Sequence, residues 1–311
     1  MRSLCSLVII SVVSLFFSIG IFSLRVGNIE GYWKVIYVMN SNINESLYSH
    51  GDGLSSRNGQ EFDVTFASQA SINRWEFMKQ ILRFWKGPVS IVYYLKPDEV
   101  ETYKRLKEKT PLRDNVHLAY MIQHNNSQYP INKLRNKAIS YITTSHYYFS
   151  DMDNWPSPNL YDELLRLPRS ALNDDKLIII VPAYQIKMAP CDTFQQCVAT
   201  YGSYFPKTKK DLRSCIQDHR CQTFRPREWL HDYYPRGWFD SKEPLMKLEC
   251  LRSDTQEPYV VVKRSAMLPA FNESFVTYAY DKIQWLEHLR RLGYYYQVMV
   301  EGYSVDVPHP P

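Results

Sequence analysis

The sequence predicts an α/β protein built on a mixed, largely parallel sheet flanked by helices. Short runs of β-branched and aromatic residues at 63–68, 89–95 and 116–122 alternate with stretches of helical periodicity. The connections between them are short, and parallel strands need the kind of crossover that an intervening helix supplies. The chain of 311 residues, 45% hydrophobic and 22% charged, is long enough to close one large core over such a sheet.

The first 60 residues stand apart from that pattern. Between Arg2 and Arg25 the chain carries no charge, and twenty-odd apolar residues in helix match the roughly 30 Å hydrocarbon thickness of a bilayer. Residues 1–25 are therefore expected to form a short cytoplasmic tip and an uncleaved signal-anchor transmembrane helix, with cleavage near Ser18 to Gly20 as the alternative. Residues 26–60 are polar and read as a stem, which leaves 61–311 as the folded domain. Glycosylation sequons at Asn44, Asn125 and Asn272 favour a lumenal face for that domain. Cys5 lies in the anchor, while Cys191, Cys197, Cys215, Cys221 and Cys250 fall close together. Two disulfides with one thiol left over suit an oxidising lumen. Zinc is excluded on spacing, because there is no C-x2-C pair and His219 and His231 complete no ligand set.

A formal charge of +5 from 37 basic and 32 acidic residues gives no dominant field. Nucleic-acid binding is not implied, and a mild basic excess suits anionic small molecules. Aromatic residues reach 14%, including 24 tyrosines. That is compatible with stacking on sugar or base rings, although most of them must simply fill strands.

In chain order, the first strand at 62–67 leads to a helix over Ile72–Lys86, whose Trp75, Met78, Ile81, Leu82 and Trp85 share one face, and Gly87-Pro88 ends it. The strand Val89–Leu95, a helix over 97–109 and the strand Val116–Ile122 complete a βαβαβ opening. A helix over Pro130–Ser145 follows. It feeds a short aromatic strand, Tyr147-Tyr148-Phe149, that runs into Ser150-Asp151-Met152-Asp153 and a proline-containing turn. Residues i and i+2 of a strand share a side, so extended geometry carried to the tip would aim the carboxylates of Asp151 and Asp153 at one point. Hard oxygen pairs suit Mg²⁺ or Mn²⁺ carrying a phosphate, and ligands of parallel α/β sheets sit at the carboxyl ends of strands. The competing reading is a turn or helix-cap device. Beyond it come a helix over 159–166, a strand over 176–182 and a less regular, cysteine-bearing stretch over 187–255. The aromatic, basic segments 224–229 and 233–238 lie in that stretch and suit acceptor specificity or a surface elaboration. The strand Pro258–Lys263, a helix over Asp281–Leu292 closed by Gly293, and the strand Tyr294–Val300 restore regularity.

Several separated segments now stand in a recognisable order: Gln128–Asn136, Phe149–Asp153, Val181–Tyr184, Glu257–Lys263 and Val307–Pro310. In order and spacing they resemble glycosyltransferase family 49, which includes the glucuronyltransferase domain of the LARGE proteins and a β-1,4-glucuronyltransferase that act on dystroglycan. The resemblance covers about residues 62–311. It implies a GT-A-type fold, a UDP-sugar donor such as UDP-glucuronic acid, Mn²⁺ held by Asp151 and Asp153, a glycan acceptor, and a single-pass type II Golgi membrane enzyme with a lumenal catalytic domain. A homo- or heterodimer with another glycosyltransferase is a further implied possibility. Carried onto this sequence, the donor-binding residues are Ala67 on the first strand, Arg135, Asn136, Asp151 and Asp153. A guanidinium such as that of Arg135 can pair in bidentate fashion with a diphosphate or a sugar carboxylate.

Two departures from the family pattern stand out. Asp306 occupies a position where relatives commonly carry a histidine, so the third metal ligand is Asp306 or His309, with His309 favoured. A glycine-containing motif of relatives is here Thr277-Tyr278-Ala279-Tyr280-Asp281-Lys282, and loss of the glycines is expected to crowd the acceptor side. An inverting transfer needs a carboxylate base; Asp281 is the first candidate and Glu257 the second. The rival readings are a catalytically silent glycan- or partner-binding relative and a tethered interaction protein whose D-x-D is only a turn.

Overall fold

The structure is a computed structural model that describes residues 62–124, 128–226, 235–249, 251, 256–277 and 280–310. The expected anchor and stem lie outside the described residues, as do the sequons at Asn44 and Asn125, Cys5, Cys250, Tyr278-Ala279, and residues 227–229 and 233–234 of the aromatic, basic segments. Among the described residues no helix is long and apolar enough to cross a membrane.

The fold is a mixed α/β assembly. Strand β1 (Val64–Ala70) leads through a 3-10 turn to α1 (Trp75–Phe84), then β2 (Val89–Leu95), α2 (Val100–Lys109) and β3 (Val116–Ile122). Helix α1 buries Trp75, Phe77, Met78, Ile81 and Phe84 along one face, the spacing that makes a helix amphipathic. The link to β2 turns at Gly87, where a Cβ would lie 2.1 Å from the Tyr161 ring, so only glycine fits. Helix α3 (Ile131–Ser140) is shorter than the sequence suggests. After it the Ser145 hydroxyl exchanges hydrogen bonds with the backbone of Asp63 and Thr144 bonds the carbonyl of His146, an alternative to helical pairing that hydroxyl side chains offer.

Next come β4 (His146–Phe149), β5 (Asn154–Pro156), α4 (Leu160–Leu165), α5 (Arg169–Leu172), β6 (Leu177–Val181) and β7 (Ala183–Ile186). The cysteine region is more ordered than its irregular pattern suggests. It holds α6 (Phe194–Tyr204), α7 (Lys209–Gln217), β8 (Cys221–Thr223) and β9 (Leu245–Leu248). Thr193 and Thr208 cap the two helices by accepting from the amides of Gln196 and Asp211. Disulfides join Cys191 to Cys197 and Cys215 to Cys221. The chain closes with β10 (Tyr259–Lys263), α8 (Asp281–Arg291), β11 (Tyr295–Met299) and β12 (Ser304–Asp306).

The main sheet has the order β3-β2-β1-β4-β10-β6-β11-β9. Pairing is parallel from β3 through β4. Beyond β4 the sheet is mixed: β10 lies antiparallel between β4 and β6, β11 is parallel to β6, and β9 closes the edge antiparallel. Because β10 is antiparallel to both of its neighbours, β6 and β11 run in the same direction as β1–β4, so six of the eight strands share one direction and the expectation of a mixed, largely parallel sheet holds, with β10 and β9 the two reversed strands. A second sheet has the order β5-β12-β7-β8. Its β5 follows β4 after the turn 150–153, so the two sheets meet at the aspartate pair.

Candidate functional site

Strand β4 ends at Phe149, and Asp151-Met152-Asp153 form a turn into β5. The extended geometry expected through the second aspartate is not continued. The amide of Asn154 donates to the Asp151 carbonyl (3.2 Å) and Val307 N donates to the Asp153 carbonyl (2.9 Å). Met152, between the two aspartates in sequence, is buried in the core and anchors the turn.

Each carboxylate is met by cations. Lys282 Nζ donates to Asp151 Oδ2 at 2.9 Å, the Tyr259 hydroxyl donates to the same oxygen at 3.0 Å, and Gln69 Nε2 reaches Oδ1 at 3.3 Å. On Asp153, Oδ2 accepts from Arg74 Nη1 at 3.1 Å and lies 2.9 Å from His309 Nε2. Burial pushes the Asp151 carboxyl up, but the charges of Lys282 and Arg135 and the bonds from Lys282 and Tyr259 outweigh it and hold it well below the usual carboxylate range. Asp153 is likewise lowered: burial opposes, and the His309 bond and the Arg74 charge prevail. Both side chains remain open, with 25% of Asp151 and 20% of Asp153 exposed, so an ion or ligand can reach them.

His309 is held edge-on to Phe77 and stacked on Phe194 at 5.6 Å. The favoured third ligand thus arrives at Asp153 from the far end of the chain. Asp306, its rival, sits on β12 opposite Asn154. Burial and then the charge of Asp153 push its carboxyl well above the usual range, with Asp151 adding and Arg225 and Arg74 opposing. Three carboxyls therefore converge electrostatically on one place. Among the described residues no three His, Cys, Asp or Glu side chains stand close enough to grip an ion as they lie. The donor chemistry nevertheless fits a hard divalent cation: two ionised carboxylates feel each other's charge, an imidazole is bonded to one of them, and the repulsion felt at Asp306 is what a cation would relieve.

The other expected site residues fall elsewhere. Ala67 is fully buried in mid-strand between Ser90 and Phe149, because β1 continues to Ala70. The strand tip that faces the aspartates is Gln69-Ala70. Arg135 is buried, ion-paired to Asp281 Oδ2, bonded to Asn132 Oδ1, and placed over the rings of Phe149 and Phe271. Its influence on Asp151 is by charge alone. Asn136 bonds the Phe271 backbone in both directions and Glu273 Oε1, which ties down the loop ahead of α8. Glu257 lies beside the site, its Oε2 3.8 Å from Lys282 Nζ and its side chain 18% exposed.

Sequence reading missed Lys282, Arg74, Gln69 and Tyr259 as site residues. One signal was available for the two cations. Both stand at helix starts, Lys282 second in α8 and Arg74 just before α1, where the helix dipole disfavours positive charge.

Residues 97–306 match the family described as glycosyl-transferase for dystroglycan. The chain belongs to that family. Among its relatives, the xylosyl- and glucuronyltransferase LARGE2 of Rattus norvegicus is 29% identical over 254 residues, 80% of this chain and 35% of the relative. The human xylosyl- and glucuronyltransferase LARGE1 is 28% identical over 252 residues, 80% and 32% respectively. The chain thus spans about a third of the length of the curated relatives it matches. The solved structure of GalNAc-T7 with UDP, GalNAc and Mn²⁺ superposes with a TM-score of 0.47 at 7% identity, over 79% of this chain and 44% of the other.

Proposed function

We propose that this family member is an inverting glycosyltransferase of the GT-A type that takes a UDP-sugar, UDP-glucuronic acid as the first candidate, and transfers the sugar to a hydroxyl of a glycan acceptor. The observation that carries this reading is the delivery of His309 onto Asp153, in a turn at the carboxyl end of a parallel strand. A turn device would need no imidazole. Asp151, Asp153 and His309 would hold Mn²⁺, which when bound supplies positive charge against the departing diphosphate. Lys282 and Arg74, each paired to one of these carboxylates, would add fixed charge for phosphate oxygens. Of the two base candidates the geometry favours Glu257, which lies on the Lys282 side of the opening, whereas the Asp281 carboxylate is committed to Arg135. A Golgi-lumenal, membrane-anchored placement agrees with the two disulfides and with the exposed sequon asparagine, Asn272.

The test is UDP release from a panel of UDP-sugars with Mn²⁺ and a xylose-terminated acceptor. Turnover with UDP-glucuronic acid that falls at least 100-fold in Asp153→Asn is the expected result, in line with the loss of a transition-state charge contact. Absence of release with every donor, despite Mn²⁺-dependent UDP binding, would leave the silent glycan-binding relative as the reading. Binding of UDP that ignores both Mn²⁺ and the substitution would reduce the pair to a turn.

A further inference from the structure

The aspartate pair already carries its own counter-charges. Lys282 Nζ sits 2.9 Å from Asp151 Oδ2 and 3.8 Å from Glu257 Oε2, over the Tyr259 ring at 4.5 Å, with its side chain only 9% exposed. Arg74 Nη1 sits 3.1 Å from Asp153 Oδ2, its guanidinium over the Phe194 ring at 5.3 Å. Each cation thus holds one carboxylate oxygen that a metal would want, and each is backed by an aromatic face rather than by a neutralising acid of its own. The exception is Glu257, which stands next to Lys282 and offers it a second partner within the site.

Formal charge makes the consequence clear. Counting Glu257, three carboxylates face an ammonium and a guanidinium, so a divalent cation entering alone leaves the cluster with a net positive charge while both fixed cations repel it at contact distance. A diphosphate arriving with it restores the balance and gives both displaced side chains oxygens to bind.

We propose that Lys282 and Arg74 are built-in counter-cations that make metal and nucleotide binding mutually dependent. They oppose a divalent ion bound alone and release the carboxylates to it when a nucleoside diphosphate takes over their charge. The inference rests on the nucleotide-sugar reading above and deepens it. By linkage, the factor by which the nucleotide tightens the metal equals the factor by which the metal tightens the nucleotide. Lys282 and Arg74 set that factor.

The experiment is a Mn²⁺ titration followed by the electron paramagnetic resonance of the free ion, with and without UDP, on the purified full chain. In the wild type Mn²⁺ alone should bind weakly and UDP should tighten it. Lys282→Met should tighten Mn²⁺ alone by about ten-fold, the scale of removing one unit charge at such a distance, and should shrink the UDP effect by a similar factor. Arg74→Gln should shift both quantities in the same direction through Asp153. Lys282→Arg, which keeps the charge, should behave as the wild type. If Lys282→Met does not fold, the partly exposed Arg74 position decides. Mn²⁺ affinity without UDP that is unchanged or weaker in the folded variants overturns the proposal. A wild type that binds no Mn²⁺ under either condition overturns the underlying functional reading, and this inference with it.

Discussion

Asp281 opens α8 but caps nothing: no side-chain cap bond forms there, and its carboxylate turns instead to the buried Arg135. Arg135 has no exit, being fully enclosed with Asn132, Phe149 and Phe271 around it. Removing one partner of such a pair leaves a buried charge unmatched. Asp281→Ala is therefore expected to lower stability by about 3–5 kcal/mol in urea denaturation, whereas Glu257→Gln should leave stability near the wild type and lower kcat by about 10²–10⁴, the range of a lost general base. A second residue governs the acid side. Burial, aided by Lys263 and opposed by a backbone bond at Leu172, lowers the His146 pKa from 6.5 to about 4. Between these two values the unfolded chain binds a proton that the native state refuses, so stability is complete above about pH 6.5 and is lost as pH falls toward 4. The loss amounts to about 3 kcal/mol. Denaturation midpoints followed from pH 7 to pH 4 should therefore fall less steeply in His146→Asn than in the wild type.

At the level of elements, the loop before α8 stores backbone strain. Thr277 keeps φ at 62° and Tyr280 at 58°, the left-handed region that costs an L-residue about 1–2 kcal/mol and suits a β-branched side chain least. The conformation is retained because the Thr277 amide donates to the Tyr129 carbonyl (2.8 Å) and Asn136 clamps Phe271. Thr277→Gly is expected to raise the unfolding free energy by about 1 kcal/mol, read as a higher melting temperature with unchanged far-ultraviolet dichroism. The strands and helices of the first half were legible in the sequence because local period and short connections decide them, as in Val89–Leu95 and α1. Helices α6 and α7 were not. Helix α6 is weakly amphipathic and α7, though amphipathic, is only nine residues long, and both lie in a stretch whose capping threonines and short disulfide loops hold them in place. The aspartate pair and His309 were legible as residue types in motif order, but Lys282 and Arg74 were not. Their partners lie 131 and 79 residues away in sequence, a pairing that only the sheet order reveals.

In the molecule as a whole, the site belongs to neither sheet alone. The turn 150–153 leaves the main sheet at β4 and enters the second at β5, while His309 follows β12, the strand antiparallel to β5. The position of Asp153 relative to His309 is thus set by how β5 and β12 pack against α1. Trp155 is the wedge in that junction. It is fully buried, opposite Val305, with Phe77 at 5.1 Å and Phe205 at 5.9 Å, and Phe77 in turn borders the His309 ring. Trp155→Ala should cost about 3–5 kcal/mol through the cavity it leaves. Relaxation into that cavity would also let β5 and the Phe77 ring shift beneath Asp153 and His309, so Mn²⁺ affinity measured with UDP should fall about ten-fold although Trp155 itself touches neither ligand. Leu118 offers the control. It is equally part of the core but sits on β3, at the opposite edge of the main sheet. Leu118→Ala should cost about 2–5 kcal/mol and leave Mn²⁺ affinity at the wild-type value. Equal losses of metal affinity in the two variants would mean that the site follows global stability rather than the junction between the sheets.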